Sequence, residues 1–307
     1  MDYPRAAVVL AGGNGSRLLP FTRLVTGDDR PKQFCSIVGD QTLLAQTLDR
    51  IALNVPPDQT FTVVTRAHRK YYRTAASRMR PSQLIEQPMA RGTGAGIAYA
   101  LARVRRELGD EAIVGFFPAD HWFEDPDALA RTVEQAYAAA ATHTGGVYLL
   151  GATPTHPETE YGWIELAPAD PAAGRQPVAR FWEKPCPEAA GLLMTRRCLW
   201  NTFIVVARVG ALVDLFAEQS PRWLDAFEPL SRPLVNEDEV ADAVYEALEP
   251  LDFSSAVLQR ARPQQLFALE LVDAGWTDLG QPERVLATLR ATDDYRRRAS
   301  DEAVVMR

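Results

Sequence analysis

The sequence predicts an α/β fold: a mixed, mostly parallel sheet flanked by helices. Three observations carry this prediction. Short apolar runs rich in β-branched and aromatic residues recur at 6–10, 61–65, 112–117, 146–151, 161–166, 178–182, 203–207 and 267–272. Helix-length segments separate the early runs, and the first run empties directly into glycines at 12, 13 and 15. Runs of this length are too short for helices and read as buried strands. Strand followed by helix, repeated, is the pattern of a parallel sheet.

Taken in order, AAVVL at 6–10 is the first buried strand. Residues 42–53 place Leu43, Leu44, Leu48 and Ile51 at near-helical spacing. Segments 94–108 and 128–141 are alanine-rich and favour helix. After about residue 145 the strands crowd together, with loops at 154–157 and 168–177, so an antiparallel or mixed extension of the sheet is expected. Segment 221–250 reads as helical and acidic, and 291–307 as a charged tail. No linker divides the chain. The expectation is one domain over 1–290, with a nucleotide half (1–145) and a second half (146–290).

Composition narrows the function classes. The 307 residues are 47% hydrophobic and 24% charged, with net charge −7. That length supports a full core without staples. The acidic balance and lack of a long basic run argue against nucleic acid as a partner. A small anion needs only a few cations in one cleft. Three cysteines (35, 186 and 198) without CxxC spacing suggest neither a disulfide framework nor a zinc site. No apolar stretch approaches a membrane span, and no secretory leader is evident, so a cytoplasmic protein is expected. A monomer and a homodimer both stay open.

The sharpest signal is LAGGNGSRLLP at 10–20. In open α/β sheets ligands sit at the carboxyl ends of strands. Glycines there let backbone N–H groups approach phosphate oxygens, and Arg17 adds a fork of donors. Neither a Walker A loop nor a dinucleotide fingerprint fits, since Gly15 is followed by Ser16-Arg17-Leu18. A strand-to-helix turn that merely needs glycine is the competing reading of the loop alone.

Farther on stands PKQF at 31–34. Together, LAGGxGxRLxP and PKQF resemble the sugar-nucleotide pyrophosphorylases, and within them the mannose-1-phosphate guanylyltransferases. The resemblance covers roughly residues 5–285 and implies a Rossmann-like nucleotidyltransferase fold. It implies a short form without the isomerase or β-helix domain of longer relatives. It further implies that Leu10, Ala11, Gly12, Gly13 and Gly15 line the nucleotide, and that Arg17 and Lys32 contact its phosphates. PADH at 118–121 resembles the family motif whose Asp binds the catalytic Mg²⁺, here Asp120. WTDLG at 276–280 resembles the one carrying a second metal ligand, here Asp278. Hard carboxylate oxygens suit Mg²⁺, although either Asp, taken alone, also reads as a turn residue.

The sugar-phosphate side is implied by three segments. ETEYGWIE at 158–165 places Gly162, FWEKP at 181–185 places Glu183 and Lys184, and LWNTF at 199–203 places Asn201. The base segment is implied at 86–98, with Glu86, Arg91 and Thr93 matching and Gly92 where the family has Asn. A carboxylate such as Glu86 can accept from guanine N1–H and its amino group. Two further departures are Thr202-Phe203 for Ser-Gly, and Ser254 for Asp.

The activity implied is transfer of a nucleoside monophosphate from an NTP, GTP by this resemblance, to a sugar 1-phosphate such as mannose 1-phosphate. A nucleotide sugar and pyrophosphate result. Arg17, Lys32, Asp120 and Lys184 would carry the chemistry. The same chemistry on another sugar or base (a heptose-phosphate guanylyltransferase, a thymidylyl- or uridylyltransferase) is an alternative. A silent nucleotide-sugar-binding regulator is the alternative from another class.

Overall fold

Nine strands form one sheet in the computed structural model, which describes residues 3–76, 79–168, 175–233 and 236–292. They are β1 (Arg5–Leu10), β2 (Thr60–Thr65), β3 (Leu84–Gln87), β4 (Ile113–Pro118), β5 (Val147–Ala152), β6 (Gly162–Leu166), β7 (Gln176–Glu183), β8 (Cys198–Arg208) and β9 (Leu266–Leu271). The order across the sheet is β3-β2-β1-β4-β8-β5-β9-β7-β6. The helices are α1 (Leu19–Thr26), α2 (Leu43–Ile51), α3 (Arg69–Ala76), α4 (Gly92–Leu108), α5 (Pro126–Thr142) and α6 (Pro187–Met194). There follow α7 (Val209–Gln219), α8 (Pro221–Phe227), α9 (Glu237–Ala247), α10 (Phe253–Ala256) and α11 (Pro282–Ala291).

The first four strands pair in parallel, as the alternating pattern predicts. Strands β2, β4 and β5 are buried at every position. That is why they read as continuous apolar runs: helices cover both faces of a parallel sheet. Local signals set the helix starts. The Thr42 hydroxyl accepts from Ala45 N at 3.2 Å, and Asp125 caps α5 through the N–H groups of Asp127 and Ala128. Each cap satisfies orphan donors of a first helical turn.

The order changes where expected. Strand β8 runs antiparallel to β4 and to β5, and its first residues also pair with β6. Its register against β5 shifts between Leu150 and Gly151, beside Phe203 at φ 62°. This irregularity bends β8, so Asn201 and Phe203 reach the ligand side of the sheet. Two strands differ from expectation, and helices α1, α3, α6, α7 and α11 add to the segments expected as helical. Strand β3 is only four residues long, and LIEQ has no apolar run to announce it. Strand β8 starts five residues earlier than its apolar stretch, since Trp200 and Asn201 pair as strand residues. From residue 293 onward the expected tail lies outside the described residues, as does 169–174 of the loop at 168–177. Among the described residues no helix is long and apolar enough to cross a membrane.

Candidate active site

The carboxyl ends of β1, β2, β3 and β4 open onto one cleft of about 430 Å³. Its floor holds Leu10, Gly12 and Gly13 from the β1 end, with Pro118 and Asp120 from the β4 end. The far wall carries Gly162, Glu183, Lys184, Asn201 and Phe203. A second chamber of about 290 Å³ adjoins it and is lined by Gly15, Lys32 and Gly280. Arg17, Asp120, His121 and Asp278 border both chambers. The two halves of the chain therefore meet around two carboxylates.

The glycine loop is anchored by its carbonyls. Gln33 Nε2 donates to Ala11 O at 2.9 Å and to Gly13 O at 2.7 Å, and Thr65 Oγ1 donates to Gly12 O at 2.8 Å. No hydrogen bond among the described residues uses the N–H groups of Gly12, Gly13, Asn14 or Gly15. Carbonyls turned into the protein and amides left open make an anion-binding concavity. The loop passes close to β3 at Gly12, where a Cβ would lie 2.3 Å from Gln87 Nε2 and the end of that side chain would have to shift.

Lys32 is only 7% exposed. Its ammonium lies 3.3 Å from Asp120 Oδ2 and donates to the backbone carbonyls of Asp278 and Leu279. A buried ammonium needs such partners. Burial would raise the Asp278 carboxyl, but Lys32 and Arg284 outweigh it and hold it below its ordinary value. His121 is buried, which lowers it to about 4. Trp276 Nε1 donates to its Nδ1 at 3.1 Å, so the neutral ring carries its proton on Nε2, facing Asp120.

Metal chemistry fits the donor set here. Among the described residues no group of three or more His, Cys, Asp or Glu could hold an ion. A hard cation held by one or two carboxylates plus ligand phosphates is the Mg²⁺ mode, and Asp120 and Asp278 border the same cleft.

On the opposite wall, burial raises the Glu183 carboxyl, and Lys184, 3.4 Å away, offsets part of that rise. Lys184 itself has φ 45°, a left-handed backbone conformation rare outside glycine. Asn201 Oδ1 accepts from Phe203 N, leaving its amide nitrogen for a ligand. Gly162 lets Phe181, Glu183 and Asn201 close over it, for a Cβ would lie 2.8 Å from the Phe181 ring.

Three expected nucleotide residues sit elsewhere. Glu86 does not line the cleft; its carboxylate is taken by Arg69, Tyr72 and Arg66. Successive side chains of a strand point to opposite faces, so in β3 Gln87 faces the cleft instead. Arg91 Nε donates to Tyr245 O at 2.8 Å, outside the cleft lining. Ala11 is packed in the core, 1% exposed, with only its backbone at the loop. Thr93 and Gly92 do line the cleft. The glycine at 92 has a physical reason. Its φ is 81°, and a Cβ would lie 2.3 Å from Leu251 O, because residue 251 crosses the start of α4.

The cleft also holds residues that the sequence did not single out: Gln33, Gln87, Tyr161, Asp252 and Trp276. Gln33 lies inside the quoted PKQF, and Tyr161 inside ETEYGWIE. Period-two alternation could have found Gln87, had β3 been recognised. Asp252 caps α10 through Ser255 N, bonds Thr93 and supplies an acid two positions before Ser254.

Comparison with known proteins gives the family and the fold. The family model described as nucleotidyl transferase matches residues 6–294. The chain is 30% identical over 287 residues to the xanthan biosynthesis protein XanB of Xanthomonas campestris pv. campestris (strain B100), covering 89% of this chain and 57% of that one. It is 30% identical over 290 residues to the mannose-1-phosphate guanylyltransferase of Escherichia coli (strain K12), covering 91% and 58%. The chain thus spans little more than half the length of these relatives. A solved structure of a mannose-1-phosphate geranyltransferase from Thermus thermophilus superposes with TM-score 0.79 at 29% identity, covering 92% and 79%. A mannose-6-phosphate isomerase structure from Helicobacter pylori, at 20% identity and TM-score 0.68, shares the fold.

Proposed function

This chain belongs to the nucleotidyl transferase family, and from that premise we propose that it transfers a nucleoside monophosphate from an NTP to a sugar 1-phosphate. GTP and mannose 1-phosphate are the pair its relatives' names favour. One observation supports the reading above the others. Two adjoining chambers join an open-amide glycine loop, a buried lysine that contacts the Asp120 carboxylate and the Asp278 backbone carbonyl, and a Glu-Lys-Asn wall.

In this reaction an oxygen of the sugar 1-phosphate attacks the α-phosphorus. The new P–O bond forms as the α–β bridging P–O bond breaks, and pyrophosphate leaves. Two anions must meet, so the chain's work is positioning and charge neutralisation. The loop amides and Arg17 bind the triphosphate. Lys32 neutralises charge beside Asp120. Lys184 balances the sugar phosphate, while Glu183 and Asn201 take sugar hydroxyls. Gln87, held by Tyr245 at 2.9 Å, faces the cleft where a base would sit. Mg²⁺ bound by Asp120 and Asp278 would act as a Lewis acid on phosphoryl oxygens.

The test is pyrophosphate release with Mg²⁺, crossing GTP, ATP, UTP and dTTP with mannose, glucose and heptose 1-phosphates. Release with GTP and mannose 1-phosphate alone is expected. Release with a different pair replaces the specificity and keeps the chemistry. No release with any pair, together with nucleotide-sugar binding, would establish the silent regulator instead.

A further inference from the structure

Asp278 is held in an uneven way. Its Oδ1 accepts three hydrogen bonds: Arg284 Nη1 at 2.7 Å, Gly280 N at 2.8 Å and Tyr161 Oη at 3.0 Å. Its Oδ2 accepts none among the described residues, and Asp278 borders both chambers. Three donors on one oxygen fix the rotamer and leave the other oxygen for a ligand.

Arg284 is the member of that trio with the most rotatable bonds, so its side chain has the most freedom to lose. Its own position is fixed twice. Nη2 donates to Glu158 Oε2 at 2.5 Å, and the guanidinium lies 4.4 Å over the Tyr161 ring. Arg284, Glu158 and Asp278 side chains are 17%, 12% and 17% exposed. Water therefore screens this chain of charges weakly. Glu158 is held in turn by Glu160 N at 2.8 Å. Sequence reading had no route to this bridge, because Glu158, Asp278 and Arg284 come from separate segments.

We propose that Arg284 is the positioning residue for Asp278. Bridging Glu158 and Asp278, it orders the carboxylate so that Oδ2 alone is offered to a divalent cation. The inference rests on the reading of Asp278 as a metal ligand. A bidentate arginine can bond two carboxylates at once, whereas a lysine cannot reproduce that planar fork.

The experiment keeps charge out of the comparison. The double variant Glu158→Gln with Arg284→Gln removes one negative and one positive group, so the net charge of the site is unchanged. Mn²⁺ alone is titrated into the nucleotide-free chain and read as loss of the free-ion EPR signal. Outer partners of metal ligands typically contribute about 10–100-fold in affinity, and a loss in that range is expected with the Tm little changed. The single variant Arg284→Lys folds with the charge retained and should lose affinity by a smaller factor. Undiminished Mn²⁺ affinity in both variants, with Asp278→Asn abolishing binding, would overturn the inference and leave the metal reading intact. Mn²⁺ binding indifferent to Asp278→Asn would overturn both.

Discussion

The glycine-loop arginine is paired with a carboxylate that lines the same cleft. Arg17 Nη1 lies 2.6 Å from Glu160 Oε2, with side chains 53% and 44% exposed. Both residues line the cleft, so under the proposed function the Glu160 carboxylate competes with a phosphate oxygen for Arg17. A triphosphate that recruits Arg17 must displace Glu160. The perturbation is Glu160→Gln, which removes the competing charge and keeps the shape. An exposed pair of this kind is worth about 0.2–1 kcal/mol. At about 1.4 kcal/mol per tenfold, that is about 1.4- to 5-fold in affinity. Removing a negative group that faces a polyanion pushes the result toward the upper end, more so at low salt. The assay is calorimetric titration of MgGTP at two ionic strengths without sugar phosphate. The Kd should fall in Glu160→Gln, and the gain should disappear in an Arg17→Ala background. An unchanged or higher Kd would refute the competition argument.

Asp120→Asn should lower kcat by about 100-fold or more, the scale of several kcal/mol of metal-assisted charge stabilisation, while circular dichroism and Tm stay near wild type; near wild-type turnover would discard Asp120 as a ligand. Because burial raises the Glu183 carboxyl above its ordinary 4.5, the folded state binds the proton more tightly than the unfolded one. Ionising Glu183 therefore removes stability as pH rises through the raised value. Glu183→Gln should be more stable than wild type at pH 7 in urea titrations, with the advantage gone below about pH 4.5; a constant difference across that window would contradict the burial argument. Gly92→Ala meets both a left-handed φ of 81° and the Leu251 carbonyl at 2.3 Å. It should destabilise by roughly 2–5 kcal/mol, from strain plus overpacking, which calorimetry would show as a lower Tm; a Tm within about a degree of wild type would mean that residue 251 moves freely.

The sequence by itself determined strands β1, β2, β4 and β5 and named many of the residues that line the cleft. Strands β1, β2, β4 and β5 are buried on both faces, so their apolar runs are unbroken and readable. The glycine loop and Lys32 follow their motifs in chain order, and Asp120 stands directly after a buried strand, so local pattern carried them. Tertiary structure decided what depends on facing and crossing. In β3 the pleat turns Gln87 to the cleft and Glu86 to Arg69, a choice that a four-residue strand without apolar periodicity does not announce. The crossing of residue 251 over α4 made glycine necessary at 92, through a backbone contact invisible to linear spacing. The bridge from Glu158 through Arg284 to Asp278 joins groups as many as 126 positions apart. Only the closing of β6 onto β8 and the docking of α11 bring those charges within hydrogen-bonding reach.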